Sequence, residues 1–431
     1  MPLGEDDAVV TWVLWVVQVE AERAAKEQTG QQIGRGQRGC RMAGPCFCRH
    51  VQDVVADSCC KLCKCRCSHF FASQAGRTGC CYQCDAYRTG CNNMLRGSRK
   101  RCTMSMPALR CQIPWRTNMD DCWERSLEFI ELDRDAASRL VHQCDLRLTV
   151  EAVTPIREGC RGSIYRVQVA GGTRFLLKLF STEDNPCAGE RQLQHLLQDE
   201  VPMPELYYEG NDEVLHSSFA LYELVCGMSL RDALHAGVRP GDELIEHMGR
   251  IAATIHGHLY STVGFLDAGL NVKQQLPPAT EWYSLFLGPR ATVRLGPELT
   301  AAVRKMVDAG RWELEDMDSH PALVHGDFRP TNIMVDHQRL AGIVDWEFAM
   351  AGHPLSDVAQ FFRYGEDFGE RERRTFERGY RSIPGMQLPR EWERAGRLRD
   401  LANLLQMIDA EGERPRKNED LRRLIVGIVV S

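Results

Sequence analysis

The chain has 431 residues, a formal net charge of −6 at pH 7 and 43% hydrophobic residues. That length supports more than one packed unit with a sizeable core, and the acidic balance argues against a general nucleic-acid binder. Charge and cysteine are unevenly spread, and the division they mark organises everything downstream.

Residues 1–118 hold 14 of the 19 cysteines and carry 17 lysines and arginines against 9 acids. The other 313 residues carry 36 against 50. Cys60-x2-Cys63 and Cys81-x2-Cys84, with 17 residues between the pairs, have zinc-ribbon spacing. With so many cysteines, such pairs also arise by accident. The segment shows no sustained amphipathic run and no repeat. The preferred reading is a start codon set too far upstream, with Met104, Met106 or Met119 as the true start. A disordered tail and a genuine zinc or nucleic-acid module are the alternatives. Ala8 to Val19 is apolar, but it is too short for a membrane span and follows acidic residues, unlike a signal peptide. The five later cysteines are scattered, as expected in a reducing cytoplasm.

Asp120 to His142 reads as one or two amphipathic helices leading into a strand over Arg147 to Val153. The stretch from Ile156 to Val169 places Gly159 and Gly162, followed by Ser163, in a turn before an alternating run. This suits a loop folded over phosphates, because glycine lets the backbone approach closely. A plain hairpin turn would give the same pattern. Gly171-Gly172 supplies the next turn, and Thr173 to Phe180 is an apolar strand carrying Lys178. A buried ammonium needs an anionic partner, and the α- and β-phosphates of ATP would serve. Glu190 opens a run of helical periodicity near Pro186 and is the candidate to orient Lys178. An edge lysine and a solvated helix glutamate are the bland alternatives.

Phe219 to Val225 reads as a strand, and Ser229 to Leu234 as a capped helix. Helical periodicity then dominates, over Asp242 to His258, Pro297 to Glu315 and Glu391 to Ile408. His256 and His258 are better read as packing or capping residues than as metal ligands. The aromatic run Glu281 to Phe286 reads as core rather than as a pocket wall.

The most informative stretch is His325-Gly326-Asp327-Phe328-Arg329-Pro330-Thr331-Asn332, followed by Ile343-Val344-Asp345-Trp346-Glu347. D-x4-N is the spacing of a phosphoryl-transfer catalytic loop, and Asp345 follows Asn332 by 13 residues, where a metal-binding Asp belongs. Short apolar runs flank these residues, with a turn at Asp336-His337-Gln338. Oxygen-rich Asn332 and Asp345 suit Mg²⁺, and Asp327 suits orientation of an attacking hydroxyl.

The segments HGDFRPTNIMVD and IVDWEFAMAGHPLSDVAQFFRY resemble the aminoglycoside phosphotransferase family, which includes kinases for choline, fructosamine and homoserine. The resemblance spans about residues 147–365. It implies an α+β, two-lobed protein kinase-like fold with a small β-rich N-lobe and a larger helical C-lobe. It makes Asp327 the catalytic base and Asn332 and Asp345 the Mg²⁺ ligands. It makes Asp357 a brace for the catalytic loop and His325 a scaffold residue. It also implies a hinge whose main chain at Glu223 and Val225 contacts adenine.

The expected organisation is a cysteine-rich basic segment over 1–118, an ATP-binding N-lobe over 119–225 and a catalytic, acceptor-binding C-lobe over 226–431. The expected function is ATP- and Mg²⁺-dependent transfer of a phosphoryl group to a hydroxyl of a small molecule in the cytoplasm, with neither nucleic acid nor membrane as partner. The acidic main body mildly favours a cationic or neutral acceptor. Alternatives are a kinase for a protein or cell-envelope sugar, a catalytically silent nucleotide-binding protein, and a zinc-dependent binding module.

Overall fold

The computed structural model describes residues 123–430, except Glu158, 181–188 and Asp199. The cysteine-rich segment with its Cys60, Cys63, Cys81 and Cys84 pattern, the apolar run 8–19, the three candidate starts and Pro186 lie outside the described residues.

The elements in chain order begin with α1 (Arg134–Cys144), β1 (Val150–Ile156), β2 (Ser163–Val169), β3 (Arg174–Phe180), α2 (Glu190–Leu197), β4 (Leu206–Asp212) and β5 (Ser217–Glu223). Next come β6 (Met228–Ser229), α3 (Leu230–His235), α4 (Asp242–His256), β7 (Gly264–Leu266), β8 (Val272–Gln275), α5 (Ala279–Phe286), α6 (Pro289–Leu295), α7 (Pro297–Ala309) and α8 (Arg311–Met317). The chain continues with β9 (Ala322–Val324), β10 (Ile333–Asp336), β11 (Arg339–Ile343), β12 (Met350–Gly352), α9 (Leu355–Phe361), α10 (Glu370–Arg381), α11 (Trp392–Asp409) and α12 (Pro415–Val430).

An antiparallel five-stranded sheet in the order β1-β2-β3-β5-β4 forms the first lobe. Tyr165, Val167 and Val169 alternate inward along β2 and pack with Leu177, Leu179 and Phe219. Ala137, Leu140 and Val141 of α1 close that face. Pro155 lies in β1, an edge strand, where a missing N–H is tolerated. The second lobe is mainly helical around one large apolar cluster, with two small sheets, β11-β10-β6 and β8-β7-β12-β9, at its face. Trp282, Tyr283 and Phe286 of α5 are buried in that cluster, so the aromatic run is core.

Three sequence expectations shift. Residues 123–133 are not helical, and the helix begins at Arg134, where the Asp133 side chain accepts the Ala136 N–H at 2.7 Å. The first strand starts at Val150 rather than Arg147, because the Asp145 carboxylate captures the Arg147 N–H and guanidinium in a local turn. The periodic run from Pro297 splits into α7 and α8 at Gly310, where a Cβ would come within 2.4 Å of Leu398. Among the described residues, no helix is long and apolar enough to cross a membrane.

Candidate active site

The apolar strand β9 ends at Val324, and the residues from His325 on form a loop held from below by α9. Asp357, fully buried, accepts the His325 N–H at Oδ2 (2.7 Å) and the Gly326 N–H at Oδ1 (2.9 Å). Three residues on, Gln360 accepts the Phe328 N–H at 2.9 Å and donates to the Gly326 carbonyl at 2.8 Å. His256 meets Asp357 through Nε2 (3.2 Å) and the Tyr380 hydroxyl through Nδ1 (2.9 Å), so it belongs to the buried support. Gly326 has φ +80°, and a Cβ there would sit 2.2 Å from the Phe348 carbonyl oxygen, so glycine is required.

His325 uses both ring nitrogens internally. Nδ1 accepts the Asp327 N–H at 3.2 Å, which leaves the proton on Nε2 to donate to the Val344 carbonyl at 3.1 Å. Burial pushes its pKa below the ordinary value, and the nearby carboxylates do not reverse that. A neutral, doubly engaged imidazole is a scaffold group rather than a proton carrier.

Asp327 is gripped by Arg329, whose Nε and terminal nitrogen donate to its two oxygens at 2.6 and 2.9 Å. Asn332 Nδ2 donates to the Asp327 carbonyl at 2.9 Å and to Oδ2 at 2.8 Å. Burial alone would raise the Asp327 pKa, but the arginine fork, with Arg363 behind it, holds it below the usual carboxylate range.

The β10–β11 hairpin explains why Asn332 and Asp345 converge from 13 residues apart. Ile333 pairs with Ile343, His337 and Gln338 take the positive φ values of a tight turn, and the Val344 N–H donates to the Asn332 carbonyl at 2.9 Å. The two side chains therefore emerge at the same end of one hairpin. Asp345 itself has φ +70°, a strained setting for a residue with a Cβ.

Lys178 crosses from β3 to this end. Its Nζ donates to Asp345 Oδ1 at 2.6 Å and to Glu347 Oε2 at 2.8 Å. Burial raises the Glu347 pKa despite the lysine. Gly162 lies over the lysine, since a Cβ there would be 3.1 Å from Lys178 Cε. Gly159 has φ +96° with open space around it. Ser163 is buried, and its hydroxyl accepts the Ile130 N–H at 2.8 Å. Glu190, buried at the start of α2, accepts from the Tyr222 hydroxyl at 2.7 Å. The Glu223 N–H is engaged by the Glu205 carbonyl at 2.8 Å, and Val225 follows the end of β5.

The donor chemistry fits a hard divalent cation. With its NH₂ turned onto Asp327, Asn332 keeps its amide oxygen for another partner, and an amide oxygen and the Asp345 carboxylate are both of the oxygen type such a cation takes. Three residues of this site went unassigned in the sequence. Arg329 stood inside the catalytic stretch, Glu347 two residues after Asp345, and Gln360 one helical turn after Asp357.

This is the architecture of a two-lobed, protein kinase-like phosphotransferase, with a glycine loop, a strand lysine, a D-x4-N loop and a hairpin Asp around one cleft. The chain belongs to the phosphotransferase enzyme family, whose family model matches residues 152–395, more than half of the 431 residues. It is 25% identical over 248 residues to hygromycin-B 4-O-kinase of Escherichia coli, a match covering 55% of this chain and 70% of that one. It is 27% identical over 168 residues to acyl-CoA dehydrogenase family member 11 of Pongo abelii, covering 37% of this chain. The match spans only about a fifth of that relative's length, which the coverage puts at 20%. The aminoglycoside phosphotransferase APH(4)-Ia superposes with a TM-score of 0.51 at 20% identity, covering 68% of this chain and 97% of that one. A thermostable mutant of the same enzyme, in ternary complex with ADP and hygromycin B, gives 0.51 at 19% identity, with the same coverage.

Proposed function

We propose that the protein transfers the γ-phosphoryl group of ATP to a hydroxyl of a small molecule, with Mg²⁺, in the cytoplasm. The observation that carries this reading is the convergence of Lys178, 2.6 Å from Asp345, with Asn332, which shares that hairpin end and lies 2.8 Å from Asp327. Asn332 and Asp345 would hold the metal, and Lys178 would align the α- and β-phosphates, with Glu190 supporting it from α2. When bound, Mg²⁺-ATP supplies the phosphoryl group and neutralises its developing charge.

The protein's own part is orientation. Asp327, with a lowered pKa, is a weak base and a strong hydrogen-bond acceptor, suited to fixing the acceptor hydroxyl and taking its proton late. Arg329 must loosen its fork to admit that hydroxyl, and it then lies beside the transferred group. Gly159, Gly162 and the main chain at Ser163 would cover the phosphates, and the main chain at Glu223 and Val225 would face adenine. On this reading residues 119–225 form the N-lobe and 226–431 the C-lobe.

Transfer of labelled phosphate from ATP, measured against a panel of amino alcohols, sugars, hydroxy acids and aminoglycosides, tests the reading. A wild type that binds Mg²⁺-ATP, yet transfers to no acceptor and hydrolyses no faster than Asp327→Asn, would overturn it.

A further inference from the structure

We propose that Trp123, Glu124 and Arg125 are positioning residues that hold the glycine loop against the C-terminal helix. This deepens the kinase reading, since it takes residues 159–163 as the loop that covers the phosphates. Among the described residues, none of the three hydrogen-bonds or ion-pairs with Asp327, Asn332, Asp345 or Lys178; their action runs through the loop.

The loop side of the contact uses carbonyls. One terminal nitrogen of Arg125 donates to the Gly159 carbonyl at 2.7 Å. The other donates to the carbonyls of Arg161 and Gly162, each at 2.9 Å. The Ser126 N–H takes the Cys160 carbonyl at 2.7 Å. Four successive carbonyl oxygens, from 159 to 162, are therefore bound to one short segment. A carbonyl held in this way cannot turn its negative end onto a phosphate. Gly159, with φ +96° and open space around it, has no steric reason to keep its conformation. Arg125 supplies the missing constraint. Its planar fork meets carbonyls in several directions at once, which a lysine ammonium cannot reproduce from the same position.

The helix side uses the other two residues. Glu124 Oε1 accepts the Arg416 N–H (3.1 Å) and Arg416 Nε (3.0 Å), and Oε2 accepts the Lys417 N–H at 3.1 Å. Its carboxylate thus caps α12 at the end where the N–H groups are unpaired and the dipole is positive. Partial burial would raise its pKa, but the N–H groups and Arg416 bring it to about 2. Trp123 Nε1 donates to Asp420 Oδ2 at 3.1 Å, one turn further along α12, and Lys417 Nζ lies 4.9 Å from the indole centroid. Residues 123–125 therefore tie a loop of the first lobe to a helix of the second.

The test uses the whole chain, a fluorescent ATP analogue with Mg²⁺, and hydrogen exchange without nucleotide. Arg125→Lys is expected to weaken Mg²⁺-analogue binding about tenfold, the loss of one charged hydrogen bond, while the melting temperature holds. Glu124→Ala touches only α12, yet it is expected to quicken exchange at residues 160–163. Unchanged exchange in Glu124→Ala, or wild-type affinity in Arg125→Lys, overturns the proposal. If Glu124→Ala does not fold, Trp123→Phe removes a single N–H from the helix side and is read by the same exchange. A wild type that binds no Mg²⁺-nucleotide defeats the kinase reading instead, and the exchange measurement still decides whether the tie exists.

Discussion

The two sides of the cleft are built by opposite means. On the catalytic-loop side, buried side chains from a helix beneath take up successive backbone groups: Asp357 holds 325 and 326, and Gln360 holds 326 and 328. On the glycine-loop side the backbone is fixed from outside, by residues that are themselves half-exposed. Buried, fully paired hydrogen bonds resist local opening, whereas solvent-accessible ones open at low free energy. On the proposed function, Asp327 therefore sits on the wall whose backbone is held by buried groups, and the loop assigned to the phosphates sits on the wall that opens more easily.

Substitutions on each wall sharpen this contrast. The largest effect belongs to Asp327→Asn, which keeps the shape and removes the charge. Turnover is expected to fall by about a thousandfold with an unchanged far-ultraviolet spectrum, as for loss of a positioned acid–base group. Gly326→Ala comes next. A left-handed φ and a 2.2 Å approach to Phe348 are both violated, so a loss of about 3 kcal/mol is expected in urea unfolding. A near-neutral result there would break the claim that this wall is rigid.

Acid should act through the same wall. His325 is fully buried with a lowered pKa, and burial brings His353 down to about 3. Both stay neutral in the fold while the unfolded chain protonates near pH 6.5. Stability is therefore complete above that value and falls as the pH drops below it, by up to about 1.4 kcal/mol per unit per histidine. Urea midpoints at pH 7 and pH 5 measure this. The smallest effect is at Gly159→Ala. Its φ is also left-handed, but nothing lies within 4 Å of an added Cβ, so about 1 kcal/mol is expected. Nucleotide affinity should change more than stability there, because the loop is what moves.

The catalytic stretch was legible because its elements are local. A three-residue apolar strand, a polar loop and a tight hairpin need only neighbouring residues to define them, and D-x4-N and the 13-residue spacing survive folding as one hairpin end. The same holds for Lys178, where a single charge in an apolar strand signals a partner. The helical stretch starts later than its periodicity suggests because backbone N–H groups at 126 and 130 are spent on residues 160 and 163, more than 30 positions away, which no local periodicity encodes.

The sequence by itself determined that a D-x4-N loop, a hairpin Asp and a strand lysine exist, because each is fixed by contacts a few residues apart. Only the tertiary structure decided that Glu347 shares Lys178 with Asp345, that Gln360 completes the grip of Asp357, and that Arg125 closes the glycine loop. Those pairings join groups whose separation in the chain carries no pattern, and they form only where packed helices and sheets leave buried polar atoms one partner within reach.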